Sequence, residues 1–147
     1  MGPYGRNVTV ALSGAGTPAV TVRGRDYLGQ PVSEQITAAG ATGVAGKKAF
    51  KYVDSISSAA VASTTLNLGF GNLFGVPYAL AKVTDEFMDD IAPTAGTFTL
   101  NTATQTATSA DPRGSYVPNT VPDGVHTYSF RALCLQNQLH GVPHFYN

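Results

Sequence analysis

Val20-Thr-Val-Arg-Gly-Arg-Asp-Tyr-Leu-Gly-Gln-Pro-Val-Ser-Glu-Gln-Ile-Thr37 decides the fold of this chain. Residues 20–22 and 32–37 are rich in β-branched side chains, and Asp26-Tyr-Leu-Gly-Gln-Pro31 between them consists of turn formers, with Gly29 free to take a positive φ. The stretch predicts a β-hairpin whose loop is longer than the tightest kind. Downstream, Phe50-Lys-Tyr-Val-Asp-Ser-Ile-Ser57 puts Phe50, Tyr52, Asp54 and Ile56 on one face, so Asp54 breaks an apolar face and marks a bend or an edge. Thr64-Thr-Leu-Asn-Leu-Gly69 sets Leu66 and Leu68 against Thr65 and Asn67. Strands at this density belong to sandwiches and barrels. The expected fold is all-β, a jelly-roll-like β-sandwich with long irregular loops, formed as a single β domain over residues 1–147.

The second half is organised differently. Residues 66–78 thread Phe70, Leu73 and Phe74 through Gly69, Gly71, Gly75 and Pro77, which reads as an aromatic loop that plugs a sandwich end or docks on a neighbouring subunit. Gly69-x-Gly71-x-x-x-Gly75 misses the dinucleotide fingerprint by one residue, so no phosphate cradle is expected. Tyr78-Ala-Leu-Ala-Lys-Val-Thr84 resumes as a strand, and Asp85-Glu-Phe-Met-Asp-Asp-Ile91 reads as an exposed acidic turn; on a helical turn it would pair Asp85 with Asp89 and Glu86 with Asp90. Asn101-Thr-Ala-Thr-Gln-Thr-Ala-Thr-Ser109 has β-propensity with almost nothing apolar to bury. It becomes ordered only by pairing with a sheet edge or another chain, and is the first candidate for an extended intersubunit arm. Asp111-Pro-Arg-Gly114 and Pro122-Asp-Gly124 supply turns. Residues 140–147, ending in Phe145-Tyr-Asn147, are apolar for a free tail and are expected to dock.

Composition narrows the function classes. Charged residues make up 12% of the 147, about half the usual share, and nine basic side chains cancel nine acidic ones. Such a surface favours association, so much of it is expected to be covered by partners. Nucleic acid is not an expected partner, because phosphate binding needs clustered cations; Arg23, Arg25, Lys47, Lys48 and Lys51 are interleaved with Asp26, Glu34 and Asp54 and read as a mixed solvated or subunit-facing surface. No apolar run reaches the ~18 residues of a membrane span, and no apolar region of the signal-peptide kind follows Met1-Gly-Pro-Tyr-Gly-Arg, so neither a membrane nor a leader is expected.

Catalytic templates fail in turn: there is no Gly-x-Ser-x-Gly elbow, no P-loop, and no motif around Ser13 or Ser109. Cys134, the single cysteine, shares a face with Tyr128, Phe130 and Ala132 under alternation and reads as core filler. His140-x-x-x-His144 would suit zinc on a helix, but Gly141 and Pro143 preclude one, and His126, His140 and His144 read as structural or surface residues. No cofactor, metal or enzymatic activity is expected. A carboxylate-based hydrolase would have to rest on Asp89 or Asp90.

The order of a Val/Thr strand, Asp-x-x-Gly-Gln-Pro-Val-Ser-Glu-Gln-Ile-Thr, Lys48-Ala-Phe-Lys51, Val53-Asp-Ser-Ile-Ser57 and Gly69-Phe-Gly-Asn-Leu-Phe-Gly-Val-Pro-Tyr78 resembles virion structural proteins of tailed bacteriophages, of the capsid decoration or cement type. The resemblance covers residues 20–80, with a weaker echo at Ala110-Asp-Pro-Arg-Gly-Ser-Tyr-Val-Pro118. It implies a protein made in the host bacterial cytoplasm that binds the outer capsid surface, with the major capsid protein and further copies of itself, as a homodimer or homotrimer, for partners. Phe70, Leu73, Phe74, Tyr78, Asn101, Thr104, Thr106, Phe145 and Tyr146 are the expected contact residues. The alternative is a receptor- or glycan-binding head-fibre or tail module, with Tyr4, Tyr116 and Tyr146 as stacking platforms.

Overall fold

A computed structural model describes residues 2–102, 104–135 and 144–146. Among these the protein is all-β: β1 (Arg6–Leu12), β2 (Ala19–Arg25), β3 (Pro31–Thr37), β4 (Val44–Ala45), β5 (Tyr52–Ser58), β6 (Leu66–Gly75), β7 (Leu80–Met88), β8 (Thr97–Thr99), β9 (Ser115–Val117) and β10 (Tyr128–Cys134), with no helix. They form antiparallel sheets in the orders β4-β1-β6-β9-β8, β3-β2-β5 and β10-β7.

The β2–β3 hairpin runs in unbroken register from Ala19 opposite Thr37 to Arg25 opposite Pro31. Its loop closes on Asp26, whose Oδ1 accepts the Leu28 N–H at 2.9 Å and the Gln30 N–H at 2.8 Å, while Gly29 takes a φ of 81°. Short carboxylates favour turns through such local bonds. On the other side of β2, the β5 ladder pairs Arg23 with Ser55 and then Gly24 with Val53, so Asp54 is the extra residue of a β-bulge. The bulge changes the phase of the strand: Val53 and Ile56 both pack on the core, and Tyr52 is 57% exposed. Phe50, fully buried, lies outside the strand and bridges Arg6, so Phe50 and Tyr52 do not share a face as strict alternation predicts.

Two apolar clusters result. Val8, Val10, Leu12, Val20, Val22, Val32, Ile36 and Phe50 fill the space between β1 and the β2–β3 pair. Val76, Leu80 and Tyr116, with Phe74, Tyr78, Val83, Phe98 and Phe130 around them, form the second. Strand β6 serves both, pairing with β1 from Leu66 to Phe74 and with β9 at Phe74 and Gly75.

That continuity corrects the expected aromatic loop over residues 66–78. The glycines of β6 permit close approach within the sheet: a Cβ on Gly71 would lie 2.4 Å from Asn7 Oδ1, and one on Gly75 would lie 2.5 Å from the Tyr4 carbonyl oxygen. Residues 85–88, likewise, continue β7 opposite β10 and form no helical turn; the chain reverses at Asp89 and Asp90, with φ of 51° and 65°. Cys134 is exposed, contrary to its expected place in the core. A register shift between Leu133 and Cys134 takes it off the face that Phe130 and Ala132 share.

Candidate functional site

The outer edge of β3 is where chemistry concentrates. The Ser33 N–H donates to the Phe145 carbonyl at 2.8 Å and the Gln35 N–H donates to the Ala107 carbonyl at 2.7 Å, so the Thr-rich segment and the C-terminal residues both lie on this chain's own sheet. Beneath them is a group of buried charges: Asp26, Glu34, Lys48, Asp111 and Arg113, each at most 4% exposed. This corrects the mixed surface expected for Asp26, Glu34 and Lys48; Arg25 and Asp54 do form an exposed ion pair at 3.1 Å. Lys48 Nζ donates to the Ser33 carbonyl at 3.0 Å and the Thr106 carbonyl at 2.6 Å, and lies 5.3 Å from the centre of the Phe145 ring. Arg113 donates to Asp26 Oδ2 at 2.7 Å and to Gln30 Oε1 at 3.0 Å. His144 Nε2 lies 3.0 Å from the same Asp26 oxygen.

Burial without partners would neutralise these groups, and the balance differs at each. Desolvation drives Glu34 up to about 7, against the Lys47 and Lys48 N–H groups that its carboxylate accepts and the Lys48 charge. Desolvation also pushes Asp26 up, but hydrogen bonds from His144, the Gln30 N–H and Arg113 outweigh it and hold the carboxyl at about 2. Burial raises Asp111 despite the Ala49 and Arg113 N–H groups. Lys48 is lowered by its burial, with Glu34 and Asp111 opposing. The Asp26–His144 contact joins the hairpin turn to the C-terminal residues, and Arg113 joins both to the loop before β9.

The expected contact residues fall in three places. Phe70, 53% exposed, lines an open hollow of about 680 Å³ with Tyr52, Arg25, Lys51 and Asp54; Leu68 beside it on β6 is 45% exposed. Leu73 is half-buried and donates its N–H to Asn7 Oδ1, while Phe74 and Tyr78 pack on the second cluster. Thr104 and Thr106 are exposed on the loop over β3, Asn101 is half-buried at its start, and Phe145 is half-buried on Lys48 with Tyr146 59% exposed. Residues 140–143 and Asn147 of the expected docking tail, including His140, lie outside the described residues.

A second concavity, about 460 Å³, is lined by Tyr4, Phe74, Tyr116, Tyr128 and Phe130 with His126 at its rim. His126 Nδ1 lies 2.6 Å from Asp89 Oδ2, and that contact first, then the Asp123 charge, raises the imidazole. The described residues contain no cluster of three or more metal-ligating side chains. Sequence reading missed Lys48, Glu34, Asp111 and Arg113 as a unit. The available signal was the scarcity of charge: with so few ionisable residues, charges on the inward phase of a strand such as β3 stand out. Comparison of the chain with protein-family models, with curated proteins and with solved structures finds no significant match.

Proposed function

We propose that this chain is a non-enzymatic capsid decoration (cement) protein of a tailed bacteriophage, folded as a jelly-roll-like sandwich, that binds the outer shell and bridges major capsid proteins as a homodimer or homotrimer. The observation that carries this reading is the exposed pair Phe70 and Tyr52, which stand with Arg25, Lys51 and Asp54 around an open hollow beside the edge strand β5 in a chain with only 12% charged residues. Burial of such surface across shell-subunit boundaries stabilises the shell by mass action, because rupture must also break those contacts. Phage shells assembled without the protein, mixed with purified chain and imaged by cryo-electron microscopy, provide the test. Density spanning subunit boundaries, lost with Phe70→Asp, supports the reading; a bare shell overturns it.

A second reading, a glycan- or receptor-binding module of the virion, is favoured by one observation: Tyr4, 38% exposed, lines an aromatic concavity with Tyr128, although Tyr116, 3% exposed in the second cluster, is buried and is not the platform expected of it. On that reading the isolated chain retains oligosaccharide binding, and Tyr128→Ala abolishes it.

A further inference from the structure

Two stretches far apart in sequence share the outer edge of β3, and neither is a strand there. Residues 100–102 and 104–113 belong to the connection between β8 and β9 and contribute the Ala107 carbonyl; residues 144–146 contribute the Phe145 carbonyl. Two buried cations tie these stretches to the sheet and to each other. Lys48 reaches the Ser33 carbonyl of the sheet, the Thr106 carbonyl of the loop and the Phe145 ring of the tail. Arg113, itself in the loop, reaches Asp26 and Gln30 of the hairpin turn and lies 3.3 Å from His144 Nε2 of the tail.

We propose that residues 100–102, 104–113 and 144–146 form one strap over the β3 edge, which detaches as a unit and whose release turns a covered edge into an open, strand-accepting one. If the tail left alone, Lys48 would lose the ring above it and Asp26 its imidazole, while both charges stayed buried under the loop; stripping a partner from a buried charge is far costlier than letting water reach it. Departure of either stretch therefore draws out the other. The strap contributes no residue to either apolar cluster, and Thr102, Gln105, Thr106, Thr108 and Ser109 hold it mainly through polar contacts. Arg113 Nε and His144 Nδ1 find no hydrogen-bond partner among the described residues. Segments held mainly by polar contacts open well before the global fold. Once uncovered, the Ser33 and Gln35 N–H groups are unpaired, the condition under which an edge accepts a strand.

Amide hydrogen exchange on the isolated 147-residue chain tests this without reference to capsids, so the strap and the cement reading stand or fall separately. The reporter is Gln35, whose acceptor Ala107 lies in the loop, and the perturbation is in the tail: Phe145→Ala, and a chain ending at residue 143. A single strap predicts that Gln35 loses protection by roughly tenfold or more in both variants, in step with Ser33, while the β1–β6 ladder keeps its own. Wild-type protection at Gln35 with loss confined to Ser33 overturns the proposal. Should the shortened chain lose the β1–β6 protection as well, Phe145→Ala alone decides by the same readout.

Discussion

The two outer edges of the β3-β2-β5 sheet are managed in opposite ways. At β3 the chain covers its own backbone with the Ala107 and Phe145 carbonyls and sinks five charges beneath the cover. At β5 nothing among the described residues pairs with the edge; it is blunted by the Asp54 bulge and an ion pair whose side chains are 58% and 50% exposed. Both devices guard a sheet edge against other chains, but at different energetic depth. A covered edge stakes buried electrostatics on the presence of its cover, whereas a bulged edge relies on local geometry and leaves Phe70 and Tyr52 beside it in solvent.

Substitutions on the two sides measure that depth. Arg113→Ala takes the guanidinium from buried Asp26, and its charge from beside Asp111, which keeps the backbone N–H of that residue, and is expected to cost about 3–5 kcal/mol in denaturant unfolding. A loss under 1 kcal/mol would place the two edges on the same footing. Next in size is a pH effect at Glu34. Its folded carboxyl holds a proton up to about 7, against 4.5 in the unfolded chain, so its contribution is complete below 4.5 and is lost as pH rises through 7. Asp26, drawn down to about 2 from 3.8, works the other way: its contribution is present above 3.8 and is lost as pH falls through 2. Stability should therefore rise from pH 8 to pH 5 by a contribution on the order of 3 kcal/mol, and Glu34→Gln should flatten that rise in urea titrations across the range. On the β5 side, deleting Asp54 removes the bulge and straightens the edge, which should appear as concentration-dependent association in light scattering. Smallest is Arg25→Ala, where solvent already screens the pair: at most about 1 kcal/mol.

The hairpin was legible because its turn residues and β-branched runs act locally, and Asp54 was legible as a fault in a periodic pattern. What alternation could not reveal was phase. The bulge brings Val53 and Ile56 to one face, and the shift before Cys134 carries that residue to solvent; both depend on the partner strand. Glycines misled for a related reason, since Gly71 and Gly75 read as turns while serving contacts with Asn7 and Tyr4, residues more than sixty positions away. The buried charges were hidden by the same long range: Lys48 meets Thr106, and Arg113 meets Asp26, only in three dimensions. Of the expected contact residues, Phe70, Thr104, Thr106 and Tyr146 stand exposed, whereas Phe74 and Tyr78 pack on this chain's own second cluster and Phe145 on Lys48.

Strand β6 runs antiparallel to β1 over most of its length and then continues into the second cluster through β9. Tension pulling the start of β1 against the start of β6, which lie at opposite ends of the ladder, would load its hydrogen bonds together in shear, whereas pulling the start of β1 against the end of β6, where Arg6 faces Phe74, would peel them open one at a time. The molecule therefore has a stiff axis and a compliant one, and the force needed to extend it depends on the direction of pull.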